Sequence, residues 1–360
     1  MNIAVVVHNY DLGEGTGGYT AEILPRIAVA HRVTLYAAEV RTPLPPGVQW
    51  VRVPALRSRG YATILTFPAA FAAVRKRHDL VHAQGWVTST ADVVTAHYVL
   101  AAWRRMAPGR GVQPPVGERW FGAYVERREA SLYQRGCGLV IAPSRGVRDD
   151  LARHYGRTAG VKVVPHGFRV PPPNPDAAAA RAQWGLPDQG LVALWIGDAR
   201  KGLRTTIEAV AGVPGVRLLV ATHASARPYL AQAEDAGCAD RVHWAGYVNP
   251  PWPAYAAADL LLYPTIYEPF GLVVAEAMSA GVAPVVTRAA GVAELLDHGT
   301  SAWLLTDPSP AEATRALSTL RDDPALLARL RQGARAVAQR RTWDDVARDT
   351  LAVYAEALRP

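Results

Sequence analysis

The chain of 360 residues holds only two cysteines, Cys137 and Cys238, far apart and each preceded by glycine. That count excludes a disulfide scaffold and leads us to expect two buried thiols in a reducing compartment. No cluster of cysteine and histidine has zinc-site spacing. No window of eighteen residues is uninterruptedly apolar, so no membrane-spanning helix is expected. The N-terminus opens on the strand-like run Ile3–Val7, with neither a basic nor an apolar leader segment. No secretion signal is therefore expected, and the expected location is cytoplasmic. Lysine is scarce. Almost all the cations are arginine, a bias that genomic base composition alone can produce.

Half of the residues are hydrophobic, which suits a large buried core. The length exceeds one typical domain and favours two. The net charge of +8 is uneven. Residues 1–167 carry 21 Lys and Arg against 11 Asp and Glu, and residues 168–360 carry 18 against 20. A basic first half points to an anionic partner: a membrane surface, an acidic glycan or nucleic acid.

Strand-like and helix-like patterns alternate along the chain. Ile3–His8, Val33–Ala37, Trp50–Pro54, Leu80–His82, Val93–His97, Leu139–Ala142 and Val161–Val164 read as strands. Tyr19–Ala30, Ile64–Arg77, Glu118–Gln134 and Arg145–Tyr155 read as helices. Pro171-Pro-Pro-Asn-Pro175 reads as a stiff linker. The alternation then resumes with strands at Leu191–Ile196, Arg217–Ala221, Val242–Ala245, Leu260–Tyr263 and Ala283–Val286. Helices at Ala325–Gln339 and Trp343–Leu358 close the chain. Such alternation predicts α/β architecture with two doubly wound parallel sheets facing a cleft, and ligands at the carboxyl ends of the strands.

The most informative stretch is Glu268-Pro-Phe-Gly-Leu-Val-Val-Ala-Glu276. A strand ends at Tyr263, Pro264, Pro269 and Gly271 punctuate a loop, and Leu272–Ala280 forms a helix stopped by Gly281. The amides of Phe270, Gly271 and Leu272 are thereby expected at a helix N-terminus, which favours an anion such as a phosphate. Carboxylates beside an anion site suit sugar hydroxyls, so the motif fits a nucleotide sugar. A solvated glutamate ahead of an ordinary helix is the other reading. Leu194-Trp-Ile-Gly-Asp-Ala-Arg-Lys-Gly-Leu203 is a second strand, basic turn and helix, in which Arg200 and Lys201 can pair with a diphosphate. Gly197 ends that strand. Tyr247 and Val248 follow another strand, where backbone groups can receive a base.

In the first half, Gly13, Gly15 and Gly18 spell G-x-G-x-x-G, and Glu39 ends the second strand. That is a dinucleotide reading, weakened because residues 8–12 separate the first glycine from its strand. The competing reading is a flexible glycine loop that lets backbone approach a phosphate or an acceptor. His82 and His97 are placed at strand ends, where a histidine can bond a sugar hydroxyl or handle a proton. Residues 102–110 and 118–128 interleave Trp, Phe and Tyr with Arg, a pattern suited to a membrane interface or to a helix with its aromatics turned inward.

Taken together, these stretches resemble the GT-B retaining glycosyltransferases of family 4. The resemblance covers nearly the whole chain and is strongest over residues 191–297. It implies that Glu268 meets the donor hexose and Glu276 the nucleotide ribose. The amides of Phe270, Gly271 and Leu272 would hold diphosphate and sugar, and Lys201 the diphosphate. It matches Gly17 and Gly18 to the N-terminal glycine loop, and His97 to the active-site histidine near the transferred sugar. Val163–Gly167 looks like the inter-domain hinge. The implied domains are 1–167 on the acceptor side, 168–342 for the nucleotide sugar, and 343–360 as a helix crossing back. Asp198 stands where the family usually has arginine, with Arg200 as its candidate substitute. His166 replaces a common asparagine, and Gln84 a frequent second histidine. The implied activity is retaining transfer of a hexose from a UDP-sugar, with GDP-mannose second, to a saccharide or lipid-linked acceptor. Neither a metal nor a cofactor is expected, since the nucleotide sugar is a substrate. Nucleic acid is not an expected partner, whereas an anionic membrane at the inner face is. A nucleotide-sugar epimerase of the same fold, an NAD-dependent oxidoreductase and a non-catalytic glycan-binding module are the alternatives.

Overall fold

The computed structural model describes residues 1–56, 60–106, 116–173 and 176–359. Residues 107–110 of the basic-aromatic stretch, the side chains of Glu118 and Arg119, and Asn174 and Pro175 of the proline run lie outside the described residues. The chain divides into two compact units, Met1–His166 with Trp343–Pro360, and Gly167–Thr342.

The strands of the first unit are β1 (Asn2–Val6), β2 (Asn9–Tyr10), β3 (Arg32–Ala37), β4 (Glu39–Val40), β5 (Gln49–Arg52), β6 (Leu80–Gln84), β7 (Ala91–Thr95), β8 (Cys137–Ala142) and β9 (Val161–Val163). Seven of them form one parallel sheet in the order β5-β3-β1-β6-β7-β8-β9, and β2 pairs with β4 beside it. Its helices are α1 (Gly15–Ala28), α2 (Gly60–Val74), α3 (Leu100–Met106), α4 (Val116–Ser131) and α5 (Arg145–Tyr155). A sheet covered on both faces buries its central strands as continuous runs, and β6 shows this: all five residues are buried, His82 and Gln84 included.

The second unit contains α6 (Ala177–Gln183), β10 (Val192–Ile196), α7 (Leu203–Ala211), β11 (Arg217–Ala221), α8 (Arg227–Asp235), β12 (Val242–Gly246), α9 (Trp252–Ala257), β13 (Leu260–Tyr263), α10 (Leu272–Ala280), β14 (Ala283–Thr287), β15 (Trp303–Leu305), α11 (Pro310–Asp322) and α12 (Pro324–Ala338). Its parallel sheet runs β12-β11-β10-β13-β14-β15. The order reverses between β10 and β13, so the loops after these two strands leave the sheet in opposite directions. A crevice between such loops is the usual ligand site of an open α/β sheet. The last helix, α13 (Trp343–Ala357), belongs to the first unit. Its Asp344 pairs with Arg26 at 2.5 Å, and its Glu356 with Lys162 at 2.7 Å.

Local rules explain several helix ends. Ser144 caps α5 by accepting from the Val147 amide, and Gly156 ends it at φ 68°. Gly281 ends α10 at φ 75°. Three expectations need correction. The helix expected from Tyr19 starts at Gly15, so Gly17 and Gly18 lie in the first turn of α1 and are buried, not in a flexible loop. A Cβ on Gly17 would meet Asp11 O at 2.7 Å and Asn9 O at 2.9 Å, so close backbone approach explains the glycine there. The strand expected to end at His82 continues to Gln84, which buries His82 in the sheet interior. The strand expected to reach His97 stops at Thr95, and the His97 amide turns back to the Thr95 carbonyl at 3.1 Å.

Cys137 and Cys238 are buried free thiols in different units. Among the described residues no helix is long and apolar enough to cross a membrane.

Candidate functional site

In the second unit the site grows out of the reversal between β10 and β13. Gly197 leaves β10 at φ 128°, and Gly202 precedes α7 at φ 98°. A Cβ on Gly202 would lie 2.4 Å from Pro264 O, so only glycine lets this loop touch the one after β13. That contact brings Lys201 to Glu268: Nζ lies 2.6 Å from Oε2. Tyr263, the last residue of β13, donates its hydroxyl to the same oxygen at 3.1 Å. Burial raises the Tyr263 hydroxyl well above the usual tyrosine range, with the Glu268 charge adding to it, so the group stays a donor.

The loop from Pro264 to Gly271 is braced from the side. Thr287 of β14 donates to Thr265 O at 2.6 Å, the Gly291 amide to Glu268 O at 2.9 Å, and the Val292 amide to Phe270 O at 2.7 Å. Gly271 caps α10 at φ 105°, a conformation that favours glycine. Leu272 then opens α10, whose first amides have no intrahelical acceptor and carry the positive end of the helix dipole. Glu276, one turn further on, is buried. Its Oε1 accepts from Arg169 at 2.7 Å, and its Oε2 lies 3.0 Å from the Tyr255 hydroxyl. Each carboxylate of the Glu268–Glu276 pair is thus held by one cation and one tyrosine.

Arg200, expected beside Lys201, is turned to Asp198: Nη2 lies 2.7 Å from Oδ2 and Nε 3.1 Å from both oxygens. Burial pushes the Asp198 carboxyl up, but the side-chain and backbone bonds from Arg200 outweigh it and leave the carboxyl below its usual range. At the ends of β11 and β12, Tyr247 stacks on His223 with ring centroids 3.6 Å apart, and Val248 follows it. Sequence reasoning missed Arg169, His223, Tyr255 and Tyr263. A strand-end position was the available signal for Tyr263 and His223. Arg169 and Tyr255 carry none.

In the first unit His97 follows β7. Its Nε2 lies 2.8 Å from Gln84 Oε1, which assigns the ring proton to Nε2 and leaves Nδ1 an acceptor. Desolvation lowers its pKa to about 3, so the ring is neutral in ordinary buffers. Tyr19 meets His97 edge-on at 4.8 Å and His166 at 4.7 Å, and His166 stacks on Trp343 at 5.9 Å. His82 is committed to the fold: its two nitrogens lie 2.6 Å from the Tyr354 hydroxyl and 2.7 Å from Thr95 Oγ1. Of the exposed aromatics, Trp120 (80 % exposed) and Tyr124 (49 %) lie one turn apart on α4 and share its outer face with Arg127 and Arg128.

Comparison with known proteins fixes the class to which these arrangements belong. The family described as Glycosyl transferases group 1 matches residues 190–323, and that described as Glycosyltransferase Family 4 matches residues 14–170. A D-inositol 3-phosphate glycosyltransferase of Xylanimonas cellulosilytica is 31 % identical over 316 residues, covering 78 % of this chain and 73 % of that protein. One from Streptomyces bingchenggensis is 29 % identical over 329 residues, covering 78 % and 67 %. Among solved structures, WaaG, a glycosyltransferase involved in lipopolysaccharide biosynthesis, is similar with a TM-score of 0.82 at 21 % identity, covering 98 % of this chain and 99 % of that one. Sucrose-phosphate synthase from Thermosynechococcus elongatus gives 0.81 at 21 % identity, covering 99 % and 98 %. The Anabaena protein HepE, solved with UDP and glucose, gives 0.77 at 21 % identity, covering 99 % and 100 %. The fold is GT-B, and the chain belongs to the group 1, family 4 glycosyltransferases.

Proposed function

We propose that this glycosyltransferase moves a hexose from a nucleoside-diphosphate sugar to a saccharide or lipid-linked acceptor, with retention at the anomeric carbon. The observation that carries the reading is the Lys201–Glu268 pair at the order reversal of the second sheet, next to the N-terminus of α10. A diphosphate there meets Lys201 and the first amides of α10, which stabilise the negative charge that grows on it as the glycosidic bond breaks. Glu268, bonded through Oε2, presents Oε1 to the hydroxyls of the hexose. Glu276 takes the ribose, and the loop of Tyr247 and Val248 the base. The neutral His97 accepts a hydrogen bond from a sugar hydroxyl through Nδ1. With this charge stabilisation from the chain itself, the proposed reaction calls on no metal. No side chain is assigned as a nucleophile, so acceptor and leaving group share one face of the sugar.

UDP is the favoured nucleotide, supported by the UDP and glucose bound to HepE, and GDP-mannose is the second candidate. The basic first half and the Trp120, Tyr124, Arg127, Arg128 face support an acceptor at an anionic membrane surface. The curated relatives are named for a phosphorylated inositol, which supports an anionic, hydroxyl-bearing acceptor as a second reading. The test is transfer from an α-linked UDP-hexose followed by NMR of the product. An α-linked product supports retention, a β-linked product overturns it, and isomerised donor without transfer identifies an epimerase.

A further inference from the structure

We infer that Gln84 is a positioning residue for His97, fixing the imidazole as the Nε2–H tautomer so that Nδ1 is the nitrogen that accepts from the sugar. The inference rests on the reading of His97 as a sugar contact and gives a role to a polar side chain buried in the first sheet.

Three observations carry it. The first is placement. Residues two apart on a strand share a face, so His82 and Gln84 project from β6 to the same side. In the register of β6 and β7, Gln84 stands opposite Thr95. The His97 backbone is pinned beside them, by its own amide to Thr95 O at 3.1 Å and by the Ala96 amide to Ile141 O at 2.8 Å. The Gln84 carboxamide thus lies between two imidazoles. Its Oε1 is 2.8 Å from His97 Nε2, and its Nε2 is 3.3 Å from both ring nitrogens of His82.

The second is the orientation of the amide. The nitrogens of His82 already engage the Tyr354 hydroxyl at 2.6 Å and Thr95 Oγ1 at 2.7 Å. Equidistant from both, the Gln84 amino group rests on the ring face rather than at a lone pair. His82 is neutral: burial, with His97 next, lowers its pKa from 6.5 to about 3. The face of a neutral ring attracts an N–H and repels a carbonyl oxygen. The amide is therefore held with its nitrogen to His82 and its oxygen to His97.

The third is what this leaves for His97. A carboxamide oxygen only accepts, so His97 donates from Nε2, and a neutral imidazole has no second proton to give. The other tautomer would set a nitrogen lone pair against Gln84 Oε1. Gln84 is 2 % exposed and His82 fully buried, so a turned amide would find no water to satisfy it.

The test joins imidazole 15N NMR of histidine-labelled protein, with His97 assigned from H97A, to calorimetry with UDP, UDP-glucose, GDP and GDP-mannose. Wild-type His97 is expected as the Nε2–H tautomer, and Q84M is expected to populate both. Q84M and H97A should weaken the sugar nucleotide about tenfold, the loss of roughly one hydrogen bond, and leave the bare nucleotide unchanged. Q84E keeps the acceptor and adds a charge, so it should retain the Nε2–H tautomer and raise the His97 pKa. An Nδ1–H tautomer in the wild type, or an unaltered His97 spectrum in Q84M, overturns the inference alone. Mixed tautomers in Q84M with full affinity for the sugar nucleotide also overturn it. If Q84M does not fold, Q84E decides, and an unchanged His97 pKa there counts against the contact. Wild-type affinity of H97A for the sugar nucleotide overturns the reading of His97 as a sugar contact and the inference with it. Wild type that binds none of the four ligands overturns the donor reading.

Discussion

Lys201 Nζ and Glu268 Oε2 lie 2.6 Å apart although 67 residues separate them in the chain. The pair exists because β10 and β13 are neighbours and because Gly202 lets one loop rest on Pro264 of the other. It sets a cation and a carboxylate side by side at the start of α10, where the proposed donor needs one of each. Replacing either side chain by alanine is expected to lower kcat about 100-fold or more, for Lys201 the usual cost of losing a group that stabilises transition-state charge and for Glu268 that of losing substrate orientation. Cooperative melting should survive in both variants. Wild-type-like transfer by K201A and E268A, measured with the same donor and acceptor, would remove these residues from the site.

The glycines of α1 separate sterically. G17A drives a methyl group into the carbonyls of Asn9 and Asp11 and is expected to cost about 1–3 kcal/mol. G15A meets nothing within 4 Å and should leave stability nearly unchanged. Urea unfolding of the two variants measures the difference. Equal midpoints would contradict the packing described for Gly17.

Acid stability follows from three histidines and one glutamate. Burial lowers the pKa of His8 from 6.5 to about 4, and those of His82 and His97 to about 3. Below pH 6.5 the unfolded chain binds protons at these sites that the folded chain refuses, so stability falls as pH drops, by about 1.4 kcal/mol per pH unit for each histidine. Glu129 acts in the opposite sense. Burial raises it from 4.5 to about 7, against the hydrogen bonds from Tyr155 and Leu100. Between those values the folded state binds the extra proton, so Glu129 adds stability as pH falls from 7 to 4.5. Among these four groups the sum is a net loss on acidification. E129Q removes the offset and should lose stability more steeply than wild type over that window. Parallel slopes for the two proteins would contradict the burial of an ionisable Glu129.

For the outer face of α4, co-sedimentation with vesicles containing anionic lipid is the measure. Wild type is expected to pellet with them and W120S/Y124S to lose most of that binding, while neutral vesicles bind neither. Equal pelleting with neutral and anionic vesicles would point to a soluble acceptor.

Much of this architecture was legible in the sequence because it is local. Arg217–Ala221 and Leu260–Tyr263 are apolar runs bounded by polar or turn residues, and Leu272–Ala280 ends at a glycine; all three have the expected bounds. Lys201 and Glu268 were each visible through the loop they sit in. Their contact was not, because it depends on strand order. The same limit hid Arg169, whose partner lies 107 residues away. Tyr255 sits in the apolar stretch Trp252–Ala257 and gives no local sign that its hydroxyl reaches a carboxylate. The α1 glycines misled for a related reason. A run of glycines reads as flexible, yet here Gly17 and Gly18 are buried, and the contact that demands Gly17 comes from Asn9 and Asp11 across a tight turn.

The central claim is that the second unit binds a nucleoside diphosphate through Lys201, Glu268 and the start of α10. Thermal shift with UDP, GDP, ADP and NAD on wild type and K201A tests it most directly. Stabilisation of the wild type by one nucleoside diphosphate, strongly reduced in K201A, is the expected result. Stabilisation by NAD alone, or by a nucleoside diphosphate to the same extent in both proteins, would contradict it.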